Sequence, residues 1–176
     1  DMMGREVELS AFPLRIISLV PSQTELLYDL GLEDRLVGIT KFCIHPDYWY
    51  RSKPRIGGTK TVNIDTIRSL NPDLIIGNKE ENERSDIEAL EEQFPVWMTD
   101  ISNLDEALTA IRRIGELTNA SQKAKQIVDK IESDSRQFTP KFQERSALYF
   151  IWKKPYMAAA KGTFIDDMMR RIGCHN

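Results

Sequence analysis

The stretch that decides the fold runs from Pro13 to Asn78. It reads PLRIISLVPSQTELLYDLGLEDRLVGIT over residues 13–40 and KPRIGGTKTVNIDTIRSLNPDLIIGN over residues 53–78. An apolar run, RIISLV (15–20), leads directly into a segment with helical spacing, where Leu26, Leu27 and Leu30 follow and Gly31 closes. A second apolar run, LVGIT (36–40), comes next. The same unit recurs as a short Arg55-Ile56 strand, the Gly57-Gly58 pair, a helix from Asn63 with Ile64, Ile67 and Leu70 on one face, an Asn71-Pro72 stop, and the strand LIIG (74–77). Strand and helix alternating in this way predict a parallel α/β sheet, and such sheets carry their sites in the loops after the strands.

Outward from this core the alternation continues. Ser22 with Glu25, Ser85 with Glu88 and Asn119 with Gln122 have the spacing of capping boxes. Val96, Trp97 and Met98 form a further strand with Trp97 in the core, and Leu104, Leu108 and Ile111 mark another helix. The segment KFCIHPDYWYRSKP (41–54) reads as irregular. From Asn119, Ala120, Ala124, Ile127, Val128 and Ile131 form one apolar stripe without Gly or Pro until Pro140, which predicts a rod of about 30 Å. ALYFIW (147–152) returns to strand and pairs as a hairpin with residues 156–160, before a helix begun by Thr163 and Asp166 and ended by Gly173. Two strands and one helix do not close a core by themselves, so the sequence reads as a second α/β lobe begun and left incomplete. The expected organisation is a polar lead (1–12), a Rossmann-like N-terminal α/β lobe (13–118), a single long bridging helix (119–140) and the start of a C-terminal α/β lobe (141–176).

Composition limits the function. The 176 residues are 41% apolar and 29% charged, with net charge −3 and pI about 5.5. Acidic balance and dispersed Lys and Arg argue against a nucleic-acid surface. Two cysteines, Cys43 and Cys174, make no disulfide framework. No apolar run reaches the roughly 18 residues that span a bilayer, and DMMGREVELSAF lacks the apolar core of a signal peptide. The expectation is a protein of the cytosol or one shown without its export segment. No G-x-G-x-x-G, P-loop or G-x-S-x-G motif is present, and no catalytic residue is nominated.

Three stretches together resemble the class III substrate-binding proteins of ABC importers, the family that captures vitamin B12, haem, ferric siderophores or metal ions. They are residues 15–40, residues 55–77, and YFIWKKPYMAAAKGTFIDDMMRRIGC (149–174), the last similar to the opening of that family's second lobe. Among its members the cobalamin-binding ones look most similar. The resemblance implies a non-enzymatic receptor without an intrinsic cofactor. Its ligand would be cobalamin, haem or a ferric siderophore, held in a cleft between two lobes tied by one stiff helix. The partners implied are an ABC permease and its ATPase, and the location is periplasmic or membrane-anchored and extracytoplasmic. By the same resemblance Asp65, third in Asn63-Ile64-Asp65, is the first-lobe carboxylate that docks on the permease, one methylene shorter than the family's Glu. An acid in a first helical turn is also favoured by the helix dipole alone.

The candidate ligand-binding residues are Pro21, Ser22, Phe42, Cys43, Thr59, Lys60, Asn78, Trp152 and Tyr156. Pro21 and Ser22 line the first loop or cap its helix. Phe42 offers a ring to a flat macrocycle. Cys43 and His45 are a Cys-x-His pair with metal-ligand chemistry, or else a buried thiol and a surface imidazole. Thr59 and Lys60 follow the Gly-Gly turn, where Lys60 suits a carboxylate or solvent. Asn78 and Lys79 follow LIIG. Trp152 and Tyr156 are aromatic platforms or a packed hairpin pair, and Trp49 and Tyr50 are rim contacts or packing. Alternative readings are a cytosolic corrinoid or metal carrier of the same fold, or a metal-assisted enzyme on a doubly wound sheet. Exposed strand edges of an incomplete lobe also suggest self-association.

Overall fold

A computed structural model describes residues 1–138 and 145–176. The chain divides into two compact units, Asp1–Asp100 with Ile114–Ala124, and Ile101–Arg113 with Lys125–Asn176.

The first unit is built on a four-stranded parallel sheet. Its strands are β1 (Ile16–Ser18), β2 (Leu36–Ile39), β5 (Leu74–Asn78) and β6 (Val96–Thr99), in the order β2-β1-β5-β6. Ile16 pairs with Leu74, and Ile75 with Val96. These strands are short, continuous apolar runs because both faces are covered. Ile16, Ile17, Leu74, Ile75 and Ile76 are all fully buried. The helices between them are α1 (Pro21–Asp29), α2 (Asp47–Ser52), α3 (Ile64–Leu70) and α4 (Arg84–Glu91). Ile17, Ile75, Val96 and Met98 from the sheet and Leu19 just after β1 form one core with Ile67 of α3 and Ile87 and Leu90 of α4. Gly38 of β2 permits close approach of α3, since a Cβ there would lie 2.9 Å from Leu70 Cδ1.

Local chemistry sets the ends. Asn63 Oδ1 accepts Thr66 N–H at 2.8 Å and caps α3, a contact that contributes about 1 kcal/mol. Asn71 then takes φ 44°, and Pro72 prevents continuation. After α1, Gly31 at φ 76° allows Gly31 N–H to reach Tyr28 O and Leu32 N–H to reach Leu27 O, the paired bonds of a Schellman ending.

The three expected capping boxes did not form. Helix α1 starts at Pro21 with Val20 as N-cap, because proline's fixed φ and missing N–H suit the first helical position, and Ser22 lies inside. Helix α4 starts at Arg84, ahead of Ser85, with Glu83 as N-cap. Asn119 adopts φ 54° and ends α5 (Leu104–Leu117) instead of opening the next helix. Asn119 N–H bonds Glu116 O and Ala120 N–H bonds Gly115 O, a second Schellman ending. Helix α6 (Ser121–Gln137) follows; at 17 residues it is about 25 Å long. The expected helix end at 139–140 and the lobe opening at 141–144 lie outside the described residues. The boundary between the two units falls within both α5 and α6.

The segment expected to be irregular contains α2, and the Gly-Gly turn belongs to an antiparallel hairpin of β3 (Gly57–Gly58) and β4 (Thr61–Val62). The N-terminal lead is ordered against the edge strand: Met2 N–H donates to Met98 O at 3.1 Å, and Asp1 Oδ2 accepts Met98 N–H at 3.3 Å. No helix of the described residues is long and apolar enough to cross a membrane.

The second unit contains the antiparallel hairpin β8 (Phe150–Trp152) and β9 (Met157–Ala158), and a parallel pair of β7 (Arg145–Ser146) and β10 (Cys174–His175). Helix α7 (Phe164–Arg171) is capped by Thr163, whose Oγ1 accepts Asp166 N–H. Asp167 of α7 accepts Leu104 N–H at 3.0 Å and Arg171 Nε–H at 2.8 Å, tying α7 to the start of α5.

Candidate functional site

The β2-β1-β5-β6 order reverses direction between β1 and β5, since the chain leaves β1 toward one edge and returns on the other side. That is the switch point at which open α/β sheets bind ligands, beyond the strands' carboxyl ends. The loops there are drawn together by backbone and side-chain bonds. Lys41 N–H donates to Gly57 O at 2.8 Å. A Cβ on Gly58 would lie 3.3 Å from Phe42 Cε2 and 3.4 Å from Lys41 Cε, so the Phe42 ring rests beside the hairpin turn. Lys60 Nζ donates to Glu80 O at 2.7 Å, joining the hairpin to the loop after β5.

On this face Phe42 is exposed (52%) and the Lys41 ammonium sits 5.2 Å from its ring centroid. Ser22 and Lys60 are exposed, Pro21 and Asn78 half-buried. Lys79 pairs with Asp100 at 2.6 Å, and that hydrogen bond raises the lysine pKa above its ordinary value. The structure thus gathers Phe42, Lys60 and Asn78 onto one face, with Thr59 almost wholly buried beneath.

Cys43 is placed otherwise than its candidate ligand role requires. It is fully buried, hydrogen-bonded to Thr40 Oγ1 at 3.1 Å, because the turn after β2 points Phe42 outward and its neighbour inward. His45 is exposed. Among the described residues no group of three or more His, Cys, Asp or Glu is arranged to hold a metal ion. Trp49 is fully buried, with Tyr28 against it edge-on at 5.4 Å, and so is core rather than rim. Trp97 is buried.

Beneath the exposed face lies a polar layer that sequence reading missed. Gln23 of α1, buried, donates through Nε2 to Thr99 Oγ1 at 2.6 Å and to Gly77 O at 3.2 Å. The Thr99 hydroxyl also accepts from Asn78 Nδ2 at 3.0 Å and donates to Gly77 O at 3.1 Å. Asn78 Oδ1 accepts Glu80 and Glu81 N–H groups. Asn82, buried, bonds both Asn78 and the hairpin. Each buried polar atom of this kind costs free energy unless partnered, so the layer holds the loops in one arrangement.

In the second unit Trp152 (64% exposed) and Tyr156 (72%) stand on the β8–β9 hairpin. Trp152 Nε1 donates to Lys154 O at 2.9 Å, and Tyr156 packs on Phe150 with ring centroids 5.6 Å apart. Both aromatic faces are therefore held by their own turn and presented to solvent. Asp65 is exposed in the first turn of α3, paired with Arg68 Nη1 at 2.7 Å. A groove of about 250 Å³ between Arg5–Glu8 and Phe94–Val96 lies at the opposite, amino-terminal end of β6 and is separate from these loops.

Residues 16–176 match the family described as periplasmic binding protein. The chain belongs to that family. It is 29% identical to an uncharacterized ABC transporter substrate-binding lipoprotein, YvrC, of Bacillus subtilis, over all of this chain and 59% of that protein. The solved periplasmic vitamin B12 binding protein BtuF of Vibrio cholerae superposes with TM-score 0.83 at 27% identity, over 94% of this chain and 66% of that one. A siderophore binding protein, BauB, solved with two acinetobactin molecules and ferric iron, superposes with TM-score 0.82 over 96% of this chain and 64% of that one. At 17% identity it shows the shared fold alone. The chain spans about 59% of the length of YvrC and of the curated vitamin B12-binding protein of Vibrio cholerae. As in other periplasmic binding proteins of this fold, the parallel α/β architecture expected from residues 13–78 is present.

Proposed function

We propose that this chain is the solute-binding part of an ABC importer, capturing a corrinoid or an iron chelate outside the cytoplasm and delivering it to a membrane permease driven by its ATPase. The observation that carries this reading is the family match along residues 16–176. The geometry adds to it. Phe42 offers an exposed aromatic face with the Lys41 ammonium beside it, and Lys60 is exposed on the adjoining hairpin, at the carboxyl end of a parallel sheet. A ring of that kind stacks on a flat macrocycle, and ammonium groups suit carboxylates or phosphates at its edge. The exposed rings of Trp152 and Tyr156 offer the second unit's aromatic contacts. The likeness to the vitamin B12 binding protein of Vibrio cholerae favours the corrinoid. Asp65 is the docking carboxylate in this reading.

The test is calorimetric titration of the full-length protein with cyanocobalamin, haemin and a ferric siderophore. Micromolar or tighter binding of one of them supports the receptor. Alanine at Phe42 or Trp152 should then weaken that binding about tenfold or more, the loss of one stacked ring, while leaving thermal stability within about 0.5 kcal/mol, as for exposed positions generally. Binding of none of the three would overturn the ligand assignment, and full affinity in both variants would overturn the assignment of these rings.

A further inference from the structure

The polar layer under the candidate face is one connected chain of bonds with Asn82 at its centre. Asn82 Oδ1 accepts Asn78 N–H at 2.8 Å, while Asn82 N–H donates to Asn78 O at 3.0 Å, so the two asparagines hold each other across one turn. Asn82 Nδ2 then donates to Thr59 O at 2.9 Å, across to the β3–β4 hairpin. Asn78 continues the chain through Thr99 to Gln23. Asn82 is 6% exposed, and Gly77 leaves room for it: a Cβ on Gly77 would stand 2.8 Å from Asn82 Oδ1. One buried amide thus links the loop carrying Asn78 and Lys79 to the loop carrying Thr59 and Lys60. A buried amide with donor and acceptor both engaged specifies a single arrangement, since either bond lost leaves a desolvated group unpaired.

We propose that Asn82 is the positioning residue of the ligand face: its bond to Thr59 O couples the two loops, and ligand affinity depends on that coupling although Asn82 is buried away from solvent. This rests on the receptor reading above. Loops fixed before binding do not have to be ordered by the ligand, which preserves affinity.

The test separates the two amide functions. Asn82→Asp keeps the acceptor for Asn78 N–H and loses the donor to Thr59 O, whereas Asn82→Ala loses both. Hydrogen exchange of the ligand-free full-length protein is measured over residues 57–62 and 78–83. In Asn82→Asp both segments are expected to exchange faster together, although the substitution lies in only one. Acceleration confined to 78–83, or in neither segment, overturns the coupling whether or not any ligand binds. Calorimetry with whichever of cyanocobalamin, haemin or ferric siderophore the wild type binds should show affinity about tenfold weaker in Asn82→Asp, the scale of reordering one or two side chains. Unchanged affinity with faster exchange overturns the dependence of binding on the bond. A wild type that binds none of the three overturns the ligand assignment and the affinity dependence built on it, leaving the exchange data to decide the coupling alone.

Discussion

Gln23 and Thr99 meet across the carboxyl edge of the sheet, Gln23 Nε2 to Thr99 Oγ1 at 2.6 Å, both side chains buried and 76 residues apart in sequence. The bond pins the start of α1 to the end of β6, and through Gly77 O to β5 between them. Gln23→Ala should destabilise the protein by about 1–3 kcal/mol, from the two hydrogen bonds lost and the cavity left behind, since Thr99 Oγ1 and Gly77 O keep the bond between them. Gln23→Met, which keeps most of the volume, should recover packing but not the hydrogen-bond part. Urea unfolding midpoints at constant slope measure both. A Gln23→Ala midpoint equal to that of the wild type would show that the bond contributes nothing net.

The turn from α5 to α6 depends on a glycine. A Cβ on Gly115 would lie 2.3 Å from Ala124 Cβ, and neither atom can rotate away. Alanine in a helix is normally better than glycine by about 1 kcal/mol, but overpacking costs about 1–3 kcal/mol, so Gly115→Ala should lower stability. Ala124→Gly in that background removes the opposing methyl and should restore much of the loss. Thermal unfolding of the single and double variants reads the coupling. Increased stability in Gly115→Ala alone would mean that the helices separate at little cost.

The parallel sheet was legible because its strands are apolar runs closed by local signals that act within a few residues: Gly31 and Asn71 in left-handed conformation and Asn63 as a cap. The failures have a common cause. Ser22, Ser85 and Asn119 each have cap spacing, but Pro21 starts its helix one residue before Ser22, and Asn119 serves the preceding helix instead. Spacing alone does not rank competing local preferences. The exposed loop residues Phe42 and Lys60 were readable as candidates. The layer that holds them was not, because Gln23, Asn82 and Thr99 are residue types that ordinarily face water, and here they are buried by bonds spanning 23 to 76 residues. Cys43 shows the same limit: only the turn's geometry determines which of two neighbours faces out.

Glu106 gives the second unit a pH dependence. Ser102 N–H donates to Glu106 Oε2 at 2.6 Å and Ser102 Oγ–H at 2.8 Å. These bonds to the charged form, the backbone one foremost, hold the carboxyl below the ordinary 4.5. A depressed folded-state pKa adds stability that is complete above the unfolded value and disappears as pH falls through the folded value. Wild type should therefore exceed Glu106→Gln in thermal stability at pH 7, with the gap closing below about 4.5. A gap that is constant from pH 7 to pH 3 would show that the carboxylate's charge has no part in it.

On the receptor reading proposed above, Asp65 tests the proposed docking on an ABC permease apart from the proposed ligand capture. Its side chain is 90% exposed and its Arg68 partner 55% exposed, and an exposed pair of this kind contributes little to stability. Arg68 is also held by Gln93 Oε1 at 2.9 Å, so the arginine has a second anchor when Asp65 turns to an outside cation. Asp65→Lys should leave folding and ligand affinity nearly unchanged, because α3 presents this residue to solvent rather than toward Phe42 and Asn78. Uptake of labelled ligand by vesicles carrying the permease and ATPase should fall at least about tenfold, the effect of losing roughly 1.4 kcal/mol at the docking surface. Arg68→Ala serves as the control: it removes the same intramolecular pair while keeping the carboxylate, and should transport normally. Wild-type uptake by Asp65→Lys would remove the docking role, and equal loss in both variants would assign the effect to the broken pair instead.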